Sequence, residues 1–190
     1  MALLYRAQLT PTKLQLIEGW VPGQPWFEEV SGSGFTNVGS FRFDDPDGEV
    51  GVETLLVRTV DGILFQVPVT YRGAPLEGAE EWLIGTTEHS VLGLRWVYDG
   101  LGDPVYLAAV TAAITGGGKQ AEQWVDHDGE LVLREPNAVV RGSGSAGVSP
   151  DSARVVVNRR PGDQVIDSGM GQLVGTWTGQ LDPVVLVALS

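Results

Sequence analysis

The sequence predicts an α+β fold, in which a curved antiparallel sheet packs on a few helices and a β-rich C-terminal portion follows. Consecutive segments between residues 35 and 71 alternate apolar and polar side chains, as strands do, and Asp-Gly turns join them. Helical signals are confined to two segments, residues 11–19 and 103–116. Strands joined by tight turns form an antiparallel meander, and its apolar face needs helices to cover it.

The first predicted helix follows a predicted strand over residues 3–9. Thr10 is placed as the N-cap and Pro11 at the first helical position, while Pro22 ends the helix. Trp26 then lies in a turn rich in proline and glycine. An indole at a helix end either packs into the core or stacks on a ligand such as a carbohydrate, and both interpretations of Trp26 stay open.

The predicted meander consists of strands at residues 35–43, 49–60 and 63–71. Pro68 lacks a backbone N–H, which predicts an edge strand or a bulge. The acidic segment at residues 44–49 has enough oxygen ligands to suggest calcium. It lacks the full loop spacing and the distal glutamate, however, so a hairpin turn is favoured.

Polar and aromatic residues are densest between residues 66 and 100. Within this segment the candidate site residues lie at predicted turns or strand ends, where side chains can converge outside a scaffold. The same residue types also satisfy backbone groups at turns, so a ligand- or partner-binding site and a structural role both remain possible. The candidates, together with Trp26, are Arg72, Glu88, His89, Arg95 and Asp99.

The second helix has the clearer signals. Asp103 is its predicted N-cap, Pro104 lies in the first turn, and the glycines after Thr115 end it. One face, which includes Tyr106 and Val110, is apolar and is predicted to dock on the sheet. We therefore predict one α+β domain over residues 1–116.

Residues 117–190 are predicted to form a β-rich C-terminal portion, with a Gly/Ser-rich loop at residues 141–150. Three glycines of this loop match G-x-G-x-x-G. No helix opens after them and no lysine follows, so neither a dinucleotide site nor a kinase glycine loop is predicted. Arg154, Arg159 and Arg160 come closest to a basic patch and are predicted to lie at a solvated strand end.

Composition excludes several classes of function. A net charge of −12 argues against nucleic acid as a partner, because phosphates require a clustered basic surface. The chain has no cysteine and its two histidines are isolated, so neither a metal nor another cofactor is predicted. No apolar run approaches the roughly 20 residues of a membrane span, which predicts a cytoplasmic protein with no membrane partner.

Two motifs resemble a known family. They are G-T-x-E-H-x-V-L-G-x-R-W-V-Y-D, from Gly85 to Asp99, and Trp20-x5-Trp26-Phe27. The segment from about Lys13 to Val110 resembles the maltokinase N-terminal cap domain, including stand-alone actinobacterial proteins related to maltokinase and glucosamine kinase. The resemblance implies a cystatin-like cap. In the kinases this region precedes the catalytic lobes, packs over the nucleotide-binding lobe and does not itself transfer phosphate.

An enzyme is not favoured, because no nucleophile–base pair, metal cage or kinase catalytic loop is identifiable. The resemblance implies a non-catalytic accessory or regulatory module in glucan, maltose or amino-sugar metabolism. It would act through a partner such as a sugar kinase or glucan-metabolising enzyme, or by sensing a small molecule. The alternatives are a carbohydrate-binding module that uses Trp20, Trp26 or Trp96, and a homo-oligomer joined through an exposed strand edge near Pro68.

Overall fold

A computed structural model describes residues 2–4, 8–27, 34–127, 130–144, 153–163, 166 and 169–190. The predicted α+β fold is confirmed, with a strongly curled antiparallel sheet, a β-rich C-terminal part and, in the described ranges, the helices α1 (Lys13–Trp20) and α2 (Pro104–Thr115). The strands are β1 (Ala2–Leu4), β2 (Leu9–Thr10), β3 (Phe35–Phe43), β4 (Gly51–Thr59), β5 (Leu64–Arg72), β6 (Leu83–His89), β7 (Gly93–Asp99), β8 (Gln123–His127), β9 (Glu130–Arg134), β10 (Ala138–Gly142), β11 (Val155–Val157), β12 (Gly171–Trp177) and β13 (Gln180–Leu189).

The main sheet has six strands in the order β2-β6-β7-β5-β4-β3. The predicted meander is present, since β3 pairs antiparallel with β4, and β4 with β5. Asp45 organises the turn between β3 and β4, because its carboxylate accepts hydrogen bonds from the N–H groups of Asp47, Glu49 and Val50. This is the hairpin turn that the sequence favoured over a calcium loop.

The prediction that Pro68 lies on an edge strand or at a bulge was wrong. β5 is an inner strand, and its register with β4 runs without a shift through Pro68, which opposes Thr54. On the other side β5 pairs with β7 only over Val69–Arg72, so Pro68 lies just outside that ladder. Pro68 is also buried, and it therefore offers no exposed edge to a second copy of the chain. The homo-oligomer itself stays a prediction.

Helix α1 begins two residues later than predicted. Thr12, rather than Thr10, is its N-cap: the Thr12 hydroxyl accepts from the Gln15 N–H, and the Gln15 side chain accepts from the Thr12 N–H. This reciprocal capping box satisfies two donors that a helix N-terminus leaves unpaired. Thr10 instead belongs to β2 and pairs with Glu88.

Helix α2 has the predicted bounds and cap. The Asp103 carboxylate accepts from the Val105 N–H, Pro104 follows, and Gly116 ends the helix. The buried face, which includes Tyr106, Val110 and Ile114, contacts the C-terminal strands β10 and β12 as well as the core beneath the main sheet. None of the described helices is long and apolar enough to cross a membrane.

The C-terminal strands form a four-stranded antiparallel sheet in the order β10-β12-β13-β11. A separate sheet has the order β1-β8-β9, with β1 parallel to β8. Strand β10 was not predicted, and it includes Arg141 and Gly142 of the expected Gly/Ser-rich loop. Residues 145–150 of that loop, the Asp-Gly turn at 128–129 and residues 164–165 of the predicted tail strands lie outside the described residues.

Both faces of β4 and β5 are buried. On one face of these strands, a first hydrophobic core packs the main sheet against α2 and the C-terminal sheet. On the opposite face, a second hydrophobic core packs the main sheet against α1. Gln66 faces the first core, and its amide donates to the carbonyls of Leu186 at 2.8 Å and Asn158 at 3.3 Å. The domain boundary at residue 116 stays a prediction. The first core nevertheless contains residues from before and after this boundary.

Candidate ligand pocket

A pocket of about 410 Å³ opens where the end of α1, the end of β7 and strand β11 meet. Its volume lies within the range of roughly 300 to 1,000 Å³ that is typical of small-molecule sites. Three tryptophans and two arginines contribute to it. The lining residues are Trp20, Gln24, Pro25, Trp26, Glu81, Trp82, Asp99, Leu101, Arg154, Val155, Val156, Val157 and Arg159.

The tryptophans reach the pocket from two elements. Trp20 ends α1, and Trp26 follows in the next turn with its ring centroid 6.0 Å from that of Trp20 and 6.0 Å from that of Phe65. Trp82 ends a 3-10 turn and lies against Gly102, where an added Cβ would be 2.0 Å from Trp82 Cγ. Only glycine at position 102 therefore leaves room for the Trp82 indole.

A buried ion pair forms one wall of the pocket. Arg159 Nη2 donates to Asp99 Oδ2 at 2.5 Å, and the two residues are only 8% and 1% exposed. The Arg159 guanidinium also lies over the Trp26 ring, 4.8 Å from its centroid, in a cation–π contact. Burial raises the pKa of Asp99, although Arg159 and the Leu101 N–H act to lower it. Among the described residues, the buried Arg159 Nη1 has no hydrogen-bond partner.

The prediction that Arg154, Arg159 and Arg160 lie at a solvated strand end was wrong for Arg159. Arg154 is exposed, but Arg159 follows β11 and turns inward to Asp99. Arg159 can be buried because the Asp99 carboxylate compensates its charge. Nothing in the local sequence of Arg159 indicates that partner, which lies 60 residues earlier.

Arg72 does not line the pocket, and its side chain instead binds Asp103, the N-cap of α2. Its Nε and Nη2 donate to the two Asp103 carboxylate oxygens, each at 2.7 Å, and Thr70 Oγ1 donates to Asp103 Oδ2 at 2.7 Å. Burial alone would raise the pKa of Asp103, but these donors and the Val105 N–H lower it overall. Arg72 thereby holds the N-cap of α2 in its ionised, accepting form.

His89 and Arg95 organise the turn between β6 and β7. His89 Nδ1 accepts from the N–H groups of Val91 and Leu92, and Arg95 Nη2 donates to the Leu92 carbonyl at 2.6 Å. Burial and the nearby Arg95 charge lower the pKa of His89, which favours its accepting, neutral form. Glu88 is exposed on β6.

Of the six candidate residues, the pocket thus unites Trp26 and Asp99. Trp82 and Arg159 are pocket residues that sequence reasoning missed. Trp82 packs against Gly102, and no local sequence pattern indicates this contact. Within the described part of the chain, no group of three or more His, Asp and Glu residues could hold a metal ion.

A comparison with protein families gives a match for the N-terminal part of the chain. Residues 20–103 match the family of the maltokinase N-terminal cap domain. The chain contains a maltokinase cap-like domain. Its matched residues include all three pocket tryptophans and Asp99, whereas the pocket residues from Arg154 to Arg159 lie in the unmatched C-terminal portion. A search of curated proteins returned no match.

Proposed function

We propose that the protein is a non-catalytic accessory or regulatory module that senses a small molecule. The match to the maltokinase cap domain supports a maltokinase-related cap module. The single observation behind the sensing role is the pocket, which the cap-like domain and the C-terminal portion build together. A ligand that fills it contacts both portions of the chain and therefore changes how firmly they hold together.

The pocket has the features of a small-molecule site. It is concave, mostly apolar along Leu101 and Val155–Val157, and carries a few fixed polar groups at Asp99 and Arg159. Fixed polar groups in an apolar cleft orient a ligand and provide specificity.

A thermal-shift and tryptophan-fluorescence screen tests this proposal. The purified chain is titrated with neutral sugars, amino sugars, sugar phosphates and nucleotides. We expect at least one class to raise Tm and to change the fluorescence saturably, because Trp20, Trp26 and Trp82 line the pocket. The effect should disappear in Trp82→Ala and persist in Trp96→Phe, which alters a tryptophan that does not line the pocket. A screen in which no compound has an effect contradicts the proposal.

The metabolic setting is part of the same proposal and rests on the family match. We place the module in glucan, maltose or amino-sugar metabolism, with a sugar kinase or a glucan-metabolising enzyme as its protein partner. An affinity pull-down with the full chain as bait should recover such an enzyme, and adding the ligand from the screen should change the amount recovered. Phosphorylation of maltose or glucosamine from ATP by the purified chain alone would contradict the non-catalytic role.

A further inference from the structure

We propose that the protein forms a symmetric dimer in which strand β9 of one copy pairs antiparallel with β9 of a second copy. This inference is independent of the pocket and goes beyond the sensing role. Three properties of β9 (Glu130–Arg134) lead to it: its place at the edge of a sheet, the apolar side chains that it exposes on both faces, and a charge pattern that complements itself.

Strand β9 lies at one edge of the sheet β1-β8-β9. Among the described strands it pairs only with β8, over its whole length. A strand at an edge uses only the backbone groups on its inner side, so the N–H and C=O groups on the outer side of β9 can receive another strand. Pro136 has no N–H to donate, which confines this edge to about the length of β9.

The three central residues of β9 are apolar and exposed. Leu131 and Leu133 lie on one face of the sheet and Val132 on the other, because successive side chains of a strand alternate. Their exposed fractions are 47% for Leu131, 49% for Leu133 and 46% for Val132. A partner that docks on one face would cover only one of these sets. A strand added at the edge contacts the side chains on both faces, so an extended segment is the occupant that fits.

The sequence of β9, E-L-V-L-R, is complementary to itself in the antiparallel direction. When Val132 lies opposite Val132 of the second copy, each Glu130 lies opposite an Arg134. The same register places each Leu131 opposite a Leu133. Opposite charges and apolar pairs that face each other directly across two strands stabilise them. In the described residues neither Glu130 nor Arg134 forms an ion pair within its own chain, so both charges are available to the second copy.

The charge pattern also disfavours other arrangements of the two strands. An antiparallel register displaced by one residue would place Glu130 opposite Glu135, and a parallel pairing in register would place Glu130 beside its own copy. Both put like charges next to each other, which is destabilising. Antiparallel pairing centred on Val132 has two-fold symmetry. It uses the β9 edge of both copies and therefore closes as a dimer.

Sedimentation velocity on the full chain tests whether the dimer exists. Paired strands of five residues are short compared with a standard interface of roughly 1,200 to 2,000 Å², so we expect a reversible dimer. Its fraction should rise as the concentration increases from about 5 to about 500 µM. A chain that stays monomeric over this whole range would overturn the proposal.

A charge exchange tests the pairing and its register. Glu130→Arg places two arginines opposite each other at both ends of the interface, and Arg134→Glu does the same with two glutamates. We expect each variant alone to dimerise at least about tenfold more weakly. An equimolar mixture of the two variants should recover the dimer, because every pair in the mixed dimer is again of opposite charge. A chain that carries both substitutions should recover it as well.

A third variant tests the centre of the interface. Val132→Lys places two lysines opposite each other on the symmetry axis and should weaken the dimer at least about tenfold. Val60→Lys is the matched control, since Val60 is 76% exposed and lies outside β9, and it should dimerise as the native chain does. Every residue of β9 is exposed, so the variants should remain folded, and near-UV circular dichroism checks this.

The variants also determine which results overturn the proposal. A dimer that persists unweakened in Glu130→Arg, Arg134→Glu and Val132→Lys would mean that the interface lies elsewhere on the molecule. Single charge variants that weaken the dimer without recovery in their mixture would overturn the antiparallel pairing of Glu130 with Arg134. The sensing role is tested separately, because none of these substitutions alters a residue that lines the pocket.

Discussion

Glu53 is a carboxylate in the middle of a buried strand, and cations from two neighbouring elements hold it. Its Oε2 lies 2.6 Å from Lys13 Nζ of α1 and 3.6 Å from Arg42 Nη2 of β3. Burial on its own would raise the pKa of Glu53, but the two cations and a hydrogen bond with Tyr71 outweigh it and lower the pKa to about 2. The residue therefore stabilises the fold only in its ionised form.

Glu53→Gln tests this contribution through pH. The folded-state pKa of about 2 lies below the ordinary value of 4.5, so the stabilisation is complete above about pH 4.5 and is lost as pH falls towards 2. We expect the free energy of unfolding of the variant to be about 3 kcal/mol lower than that of the native chain near pH 7. This difference in free energy should vanish near pH 2. Urea denaturation at several pH values measures it. The exposed Glu88→Gln serves as control, and a Glu53 difference independent of pH contradicts the assignment.

The Asp103 carboxylate accepts hydrogen bonds from three residues, Thr70, Arg72 and Val105. We therefore expect its removal to have a large effect on stability. Asp103→Ala leaves the Arg72 guanidinium without its carboxylate and α2 without its N-cap. We expect a loss of about 3 to 5 kcal/mol in the free energy of unfolding, because the variant leaves the charge of Arg72 without its partner. Asp103→Asn retains a capping side chain and should lose less. Equal losses in the two variants would mean that the N-cap contributes little, whereas an Asp103→Asn variant as stable as the native chain would mean that the ion pair with Arg72 contributes little.

At the scale of elements, Gly102 decides where the Glu80–Trp82 turn packs. Gly102→Ala places a Cβ 2.0 Å from Trp82 Cγ, so the indole must move. We expect a loss of about 1 to 3 kcal/mol and a changed near-UV circular dichroism spectrum. Gly19→Ala is the matched control: its Cβ meets nothing within 4 Å, and alanine in α1 should stabilise by about 0.5 to 1 kcal/mol. An unchanged Trp82 signal in Gly102→Ala contradicts the packing described.

The elements that sequence predicts best are those whose signals are local. Alternation indicated β3 and β4, and the Asp103 cap with its following proline indicated α2. The start of α1 was misplaced because two threonines precede the apolar run, and only the Gln15 side chain selects Thr12. Strand β10 was missed because five residues that end in glycine provide too short an alternation.

The pocket was predictable only in part, because only some of its residues have a local sequence signal. Trp26 and Asp99 stand out as an indole at a helix end and a carboxylate at a strand end. Arg159 and Trp82 acquire their roles through contacts with Asp99 and Gly102, and no local pattern encodes such a contact. Likewise, Gln66 and Thr70 are polar residues of β5 that are nevertheless buried, because the C-terminal sheet and Asp103 satisfy their side chains.

At the scale of the whole molecule, the first core makes the two predicted portions depend on each other. It joins Phe41 and Leu56 of the main sheet to Leu173 and Leu186 of the C-terminal sheet. We expect the full chain to unfold in one cooperative transition, and a chain that ends at residue 116 to show no cooperative transition, since it exposes this core. Differential scanning calorimetry of both chains measures it. A cooperative transition in the shortened chain would establish residues 1–116 as an independent domain.

The hydrogen bond from the Gln66 amide to the Leu186 carbonyl spans 120 positions of sequence. During synthesis the meander emerges before β13, which carries the Leu186 acceptor for Gln66. Until that strand has left the ribosome, one face of β5 has no permanent cover and its buried amide lacks this acceptor. The interior around Gln66 is therefore completed only once β13 is available, 120 positions after Gln66 itself is translated.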